Sequence, residues 1–101
     1  MEIEINDQPD FSVIKLNKQS ILGNEGVEFQ NSVLKTLDKG VKEILVDLSV
    51  VEYITSWGIG MLVHSFTTCT NRNAGFALTG VSDHVNSILS KVKLNTIFDI
   101  R

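Results

Sequence analysis

Apolar positions along the chain change period several times, and each change predicts an element. Residues 2–5 alternate polar and apolar, residues 11–16 read apolar-polar-apolar around β-branched Val13 and Ile14, and Pro9 marks a turn between two opening strands. Asn24 is placed as the cap of a helix with Glu25 and Glu28 in its first turn and Val27, Val33, Leu34 and Leu37 as its apolar stripe, ended by Lys39 and Gly40. Residues 42–48 centre on Ile44-Leu45-Val46, the length and branching of a strand covered on at least one face, and are placed as the central strand. Ile59, Leu62, Val63, Phe66 and Cys69 then recur at the spacing of a helix lying on a sheet, stopped by Asn71-Arg72-Asn73-Ala74-Gly75. Residues 76–81 read as another buried strand. Ser82 is placed as the cap of a helix with Asp83 in its first turn and Val85, Ile88, Leu89 and Val92 on one face, and residues 96–100 as a short closing strand.

Helices alternating with strands over the last two-thirds of the chain imply parallel neighbours joined by right-handed crossovers. The expected fold is α/β: one domain over residues 1–101, with a mixed, mostly parallel sheet of four to five strands and helices packed mainly on one side. At 101 residues, 43% of them hydrophobic and 21% charged, the chain has the size and composition of one globular domain that folds without metal or disulfide staples.

Charge narrows the partners. The net charge is −3 and the nine Lys and Arg residues are scattered, so neither nucleic acid nor an anionic membrane surface is an expected partner. The single cysteine, Cys69, falls within the helical apolar pattern and fits a core thiol in a reducing compartment. The acidic start has no basic region and apolar segment of a secretory signal, and no apolar run reaches membrane-spanning length. The expected setting is cytoplasmic, without membrane insertion.

Candidate chemistry concentrates in Ile54-Thr55-Ser56-Trp57-Gly58-Ile59-Gly60, which sets two hydroxyls at a strand-loop-helix junction. A helix start leaves about four N–H groups without intrahelical partners and carries partial positive charge, which favours a side-chain oxygen or a phosphate attached to one. Ser56 is therefore either a plain N-cap, contributing on the order of 1 kcal/mol, or a phospho-acceptor. Other chemistries fail on spacing. Val63 stands at the last glycine position of a dinucleotide-type G-x-G-x-x-G, and no Gly-Lys-Ser/Thr follows. Ile54 stands where a nucleophile elbow needs glycine. His64 and His84 lie in different helices and show no ligand spacing with Cys69, so they are read as solvent-exposed; no cofactor and no metal are expected. Trp57 is either an exposed interface anchor or a ring folded over the loop. Met61 falls outside the stripe and is placed with Trp57 in an exposed apolar patch. Asp47 is expected to fix its loop by accepting backbone N–H bonds.

The order strand, strand, helix, strand, hydroxyl pair, helix, strand, helix resembles the STAS family, the domain of bacterial anti-sigma-factor antagonists. The resemblance rests on Val46-Asp47-Leu48-Ser49 followed by Tyr53-Ile54-Thr55-Ser56-Trp57-Gly58-Ile59-Gly60, which matches the family's D-S-[SA]-G-[LIV]-[GR] motif in order and spacing. The resemblance implies that Ser56 is the residue phosphorylated by a partner that is both serine kinase and anti-sigma factor, an ATPase of the histidine-kinase-like type. A PP2C-type phosphatase is the further partner it implies. Unphosphorylated protein would bind the partner through Thr55, Ser56, Trp57, Gly58 and Met61, acting as a ligand and a substrate rather than an enzyme. Where the family usually has Asp, this chain has Thr55, which makes Thr55 a second candidate acceptor; Trp57 replaces a usual small residue. A competing expectation is a constitutive STAS scaffold subunit of a transporter accessory or signalling complex, in which Ser56 only caps the helix. A small hydrolase using Ser56 with a histidine is the third.

Overall fold

A computed structural model describes residues 2–101; Met1 lies outside the described residues. The opening pair is a hairpin. Strand β1 (Ile3–Asp7) runs antiparallel to β2 (Phe11–Leu16), in a register that pairs Ile5 with Ile14, around the turn that holds Pro9. Three further strands lie parallel to β2: β4 (Glu43–Asp47), β6 (Gly75–Thr79) and β7 (Asp99–Ile100). The five-stranded order β1-β2-β4-β6-β7 puts β4 at the centre, as its apolar run predicts. Two residues each from β3 (Ser20–Ile21) and β5 (Tyr53–Ile54) make a separate parallel pair.

Among the described residues three α-helices accompany the strands: α1 (Gly26–Leu37), α2 (Ser56–Asn71) and α3 (Asp83–Lys91). Their buried residues, among them Phe29 and Val33, Leu62 and Cys69, Val85 and Leu89, form one cluster with Ile14, Leu16, Ile44, Val46, Phe76 and Leu78. Those sheet residues alternate along their strands and pair across them, so they share one face, and the helices cover that face. The mixed, mostly parallel sheet with helices on one side is the architecture expected from sequence. Within the core, Phe66 and Phe76 meet edge-on at 5.9 Å, and Phe98 joins Phe66 at 5.5 Å. Cys69 is fully buried there, and burial pushes its thiol up to about 11.

Three helix details depart from expectation. Helix α1 begins at Gly26 with Glu25, not Asn24, at its cap position, and no side chain caps it. Its inward face runs through Phe29, Val33 and Leu37; Val27, about 200° round the helix from Phe29 at 3.6 residues per turn, is 76% exposed. Met61 is 7% exposed rather than part of a surface patch. The cause is a second neighbour, because α2 packs against α1 as well as the sheet. Along that flank Ser65 donates to Gln30 Oε1 at 3.1 Å and Gln30 Nε2 donates to Thr68 at 2.9 Å. Residues 96–100 are also not one strand: a 3₁₀ turn (Leu94–Thr96) precedes β7. Ser82 caps α3 as expected, accepting from the Val85 N–H at 3.2 Å.

Candidate functional site at the start of helix α2

The junction is built by backbone contacts from three segments. The Thr55 N–H donates to the Ile21 carbonyl at 3.0 Å, which carries the β3–β5 pairing up to the first residue before α2. Thr55 is the N-cap: its backbone is extended at φ −90° and ψ 170°, and its hydroxyl accepts from the Gly58 N–H at 3.2 Å. The same hydroxyl donates to the Leu22 carbonyl at 2.8 Å, fastening the loop after β3 to the helix start.

Ser56 is therefore not the cap. It is the first helical residue, exposed, and its hydroxyl has no hydrogen-bond partner among the described residues. Trp57 follows at 81% exposure, so its ring is presented outward and does not fold over the loop. Of the hydroxyl pair, one is committed on both its donor and acceptor sides and the other is open to solvent.

The two glycines that follow differ in what they permit. A Cβ on Gly58 would stand 2.7 Å from the Ile21 carbonyl oxygen and 2.7 Å from Ile54 Cγ1, so the first turn of α2 can sit on β3 only because that position is bare. A Cβ on Gly60 would meet nothing within 4 Å. A helix-interior glycine costs about 0.5–1 kcal/mol relative to alanine. Gly60→Ala is accordingly expected to raise the melting temperature by several degrees, roughly 4–8 °C per kcal/mol in a chain of this size, measured by thermal unfolding; a lower melting temperature would show a packing role that the open Cα does not suggest.

The loop after β3 carries no motif that the sequence alone marks as functional. Gly23 adopts φ +106°, and a Cβ there would stand 2.4 Å from Trp57 Cβ, so only glycine lets this loop pass against α2. Glu25 closes the loop from within. At 5% exposure it pairs with Lys18 and accepts from the Gly23 N–H at 3.0 Å. Burial pushes its carboxyl up, but the Lys18 ammonium and the backbone N–H groups outweigh burial and hold it below the ordinary carboxylate value. A carboxyl depressed on folding stabilises the native state above its unfolded value, and that stability is lost as pH falls through the lower folded value. Glu25→Gln is expected to flatten this acid limb of the stability-versus-pH profile, measured by denaturant unfolding from neutral pH downward; an unchanged acid limb would contradict the assignment.

Between the N-terminal halves of α1 and α2 lies a groove of about 820 Å³. Gly60 and Met61 line it, Val27 and the Trp57 ring flank it, and Ser56 borders it. Of the residues expected to face a partner, Ser56, Trp57 and Met61 thus meet at one groove, while Thr55 and Gly58 support it from behind. Val27 supplies the exposed apolar surface expected of Met61. Asp47 accepts from the Ser49 N–H at 2.8 Å and so fixes the turn after β4. His64 and His84 are exposed, and His84 stacks on Tyr53 at 5.5 Å between ring centres. Among the described residues no group of three or more His, Cys, Asp and Glu is placed to hold a metal ion, and no helix is long and apolar enough to cross a membrane.

A mixed, mostly parallel sheet with helices on one face and a hydroxyl pair at the start of α2 places the chain in the α/β class with the layout that the motif residues imply. The STAS domain family matches residues 2–101, and the chain belongs to that family. Among solved structures it is similar to TM1081 of Thermotoga maritima, a candidate anti-sigma factor antagonist. The two are 26% identical with a TM-score of 0.80, over 97% of this chain and 84% of that one. The unphosphorylated form of the anti-sigma factor antagonist SpoIIAA, a Bacillus cell fate determinant, shares the fold at 12% identity and a TM-score of 0.80, over 99% of this chain and 88% of its own. A sulfate transporter family protein from Wolinella succinogenes does so at 18% identity and 0.75, over 90% and 81%. No functionally curated protein matches the chain in sequence.

Proposed function

We propose that this chain is a phosphorylation-switched, protein-binding regulator of the anti-sigma-factor antagonist type. Unphosphorylated, it binds an anti-sigma factor that is also a serine kinase, an ATPase of the histidine-kinase-like type; phosphate on Ser56 releases that partner, and a PP2C-type phosphatase restores the binding form. The protein is ligand and substrate in this cycle and performs no catalysis.

The division of labour between Thr55 and Ser56 carries this proposal. Because Thr55 does the capping, Ser56 contributes nothing to the fold that explains a hydroxyl there, yet its oxygen stands exposed at the positive end of α2. The same division ranks Ser56 over Thr55 as acceptor, since modification at Thr55 would break its bonds to Leu22 and Gly58. A phosphate adds about −1.5 to −2 charges at pH 7. The helix start tolerates that charge, while a partner packed on the same spot must desolvate it.

A second account, a constitutive scaffold subunit of a transporter accessory or signalling complex, draws on the likeness to the sulfate transporter family protein. Its premise that Ser56 serves as the helix cap does not hold, because Thr55 occupies that position. The test is to use Ser56→Ala and Ser56→Glu forms as bait in native lysate. A kinase-like ATPase retained by the alanine form and lost by the glutamate form supports the switch; the same partners on both forms support the scaffold.

A further inference from the structure

Charge is absent from the walls of the groove beside Ser56. Its lining contains no Asp, Glu, Lys or Arg; the polar groups present are amides, the Ser56 hydroxyl and the His64 ring. Gln30, one of those amides, is already spent on Ser65 and Thr68. A charged occupant would be taken out of water here without a counter-charge, at a cost of several kcal/mol on the order of a buried unpaired ion. An uncharged apolar occupant meets Val27, Trp57 and the inner edge of Met61.

Gly60 indicates where such an occupant sits. Nothing within the fold fills the space a Cβ would take there, and the glycine weakens its own helix, so the bare Cα serves an approach from outside. The shape favours a protein segment over a small molecule. Val27 and Trp57 are 76% and 81% exposed, so a small apolar ligand between them would keep its outer face in water, whereas a protein segment brings its own covering. Exposed tryptophan beside a recess is also the usual form of a binding hot spot.

We propose that the groove between α1 and α2 is the docking site of the partner protein, which seats neutral apolar side chains on Gly60 between Val27 and Trp57, with Ser56 at the rim. This rests on the switch proposed for Ser56 and adds to it the chemistry of the partner's contact. It also explains how one phosphate acts. The charge arrives at the edge of a recess whose occupant and walls offer it no counter-ion, so it opposes closure of the contact without blocking the recess.

The test uses the full chain, labelled with ¹⁵N, titrated to millimolar probe concentration, where dissociation constants of about 1 mM become visible. The probes are N-acetyl-leucinamide and N-acetyl-phenylalaninamide, with N-acetyl-aspartate amide as the charged counterpart. Saturable shifts are expected at the Val27 and Gly60 amides and the Trp57 indole N–H with the apolar probes alone, and are expected to vanish in Gly60→Leu, whose side chain occupies the open space over residue 60 where the probe would sit. Shifts with no centre on the groove, an equal response to the charged probe, or shifts that persist in Gly60→Leu would overturn the proposal. So would a native mass spectrum of the purified chain carrying a bound small molecule. None of these readouts involves Ser56, so their failure leaves the switch standing. Conversely, if Ser56→Ala captures the kinase-like ATPase and the Ser56→Ala, Gly60→Leu double variant captures it equally well, the switch holds and the groove is not the docking site.

Discussion

Ser56→Glu is expected to bind the partner at least about 100-fold more weakly than Ser56→Ala, a difference of about 2.7 kcal/mol, while melting at the same temperature or slightly higher. The two halves of this expectation have one origin. In the free protein a carboxylate at the first position of α2 faces unpaired N–H groups and the positive end of the helix, worth roughly 0.3–1 kcal/mol in its favour. In the complex the same charge lies under the partner, where removing water from an unpaired ion costs about 3–5 kcal/mol. Titration calorimetry with the purified partner gives the affinities, and thermal unfolding of the free variants gives the control. Equal affinities would remove Ser56 from the contact. A glutamate form that melts far lower would instead reduce the loss of binding to a loss of fold.

Gly58→Val is expected to destabilise the chain by about 3 kcal/mol, at the upper end of overpacking costs, and to lower its melting temperature on the order of 15 °C. A Cβ at position 58 would sit 2.7 Å from both the Ile21 carbonyl oxygen and Ile54 Cγ1. Neither is the movable end of a long side chain. The Ile21 carbonyl accepts from the Thr55 N–H, and Ile54 pairs with Ile21 across β3 and β5. Relief therefore requires α2 to lift from the small sheet, which breaks the contacts that set the Thr55 cap. Against the rise expected for Gly60→Ala, this gives opposite signs two residues apart in one motif. A melting temperature for Gly58→Val within a few degrees of the parent would show that the junction yields more easily than its backbone bonds imply.

What the sequence could show followed from how many residues each signal spanned. The stripe Ile59, Leu62, Phe66 and Cys69 repeats over three turns, and the run at residues 44–46 sits in the central strand, so period alone recovers both. The pairing of β3 with β5 involves two residues on each side and has no period to read. Met61 reads as outward from the stripe, which shows only the sheet-facing side of α2, while α1 covers its flank. Val27 lies within about 20° of Leu34 at 3.6 residues per turn and so reads as part of the apolar stripe, but the buried face of α1 is centred on Phe29, Val33, Thr36 and Leu37 and leaves the Val27 side in solvent.

The site was legible to within one residue. Thr55 and Ser56 are adjacent hydroxyls before a helix, and either satisfies the preference for a cap. Which one caps is decided by the extended backbone at Thr55 and by the Leu22 carbonyl brought over it from a distant part of the chain. Gly58 and Gly60 are likewise equivalent as letters and differ only in their spatial neighbours. Gly23 carried a signal of its own, an isolated glycine between a short apolar pair and an acidic turn, but its close passage by Trp57 is a tertiary fact.

The central claim is that Ser56 is the acceptor, and phosphosite mapping on the chain after incubation with ATP in an extract of its native cells tests it most directly. The account predicts a single phosphate on Ser56, absent from Ser56→Ala and retained by Thr55→Ser; phosphate on residue 55 instead, or none at all while the extract phosphorylates other substrates, would contradict it.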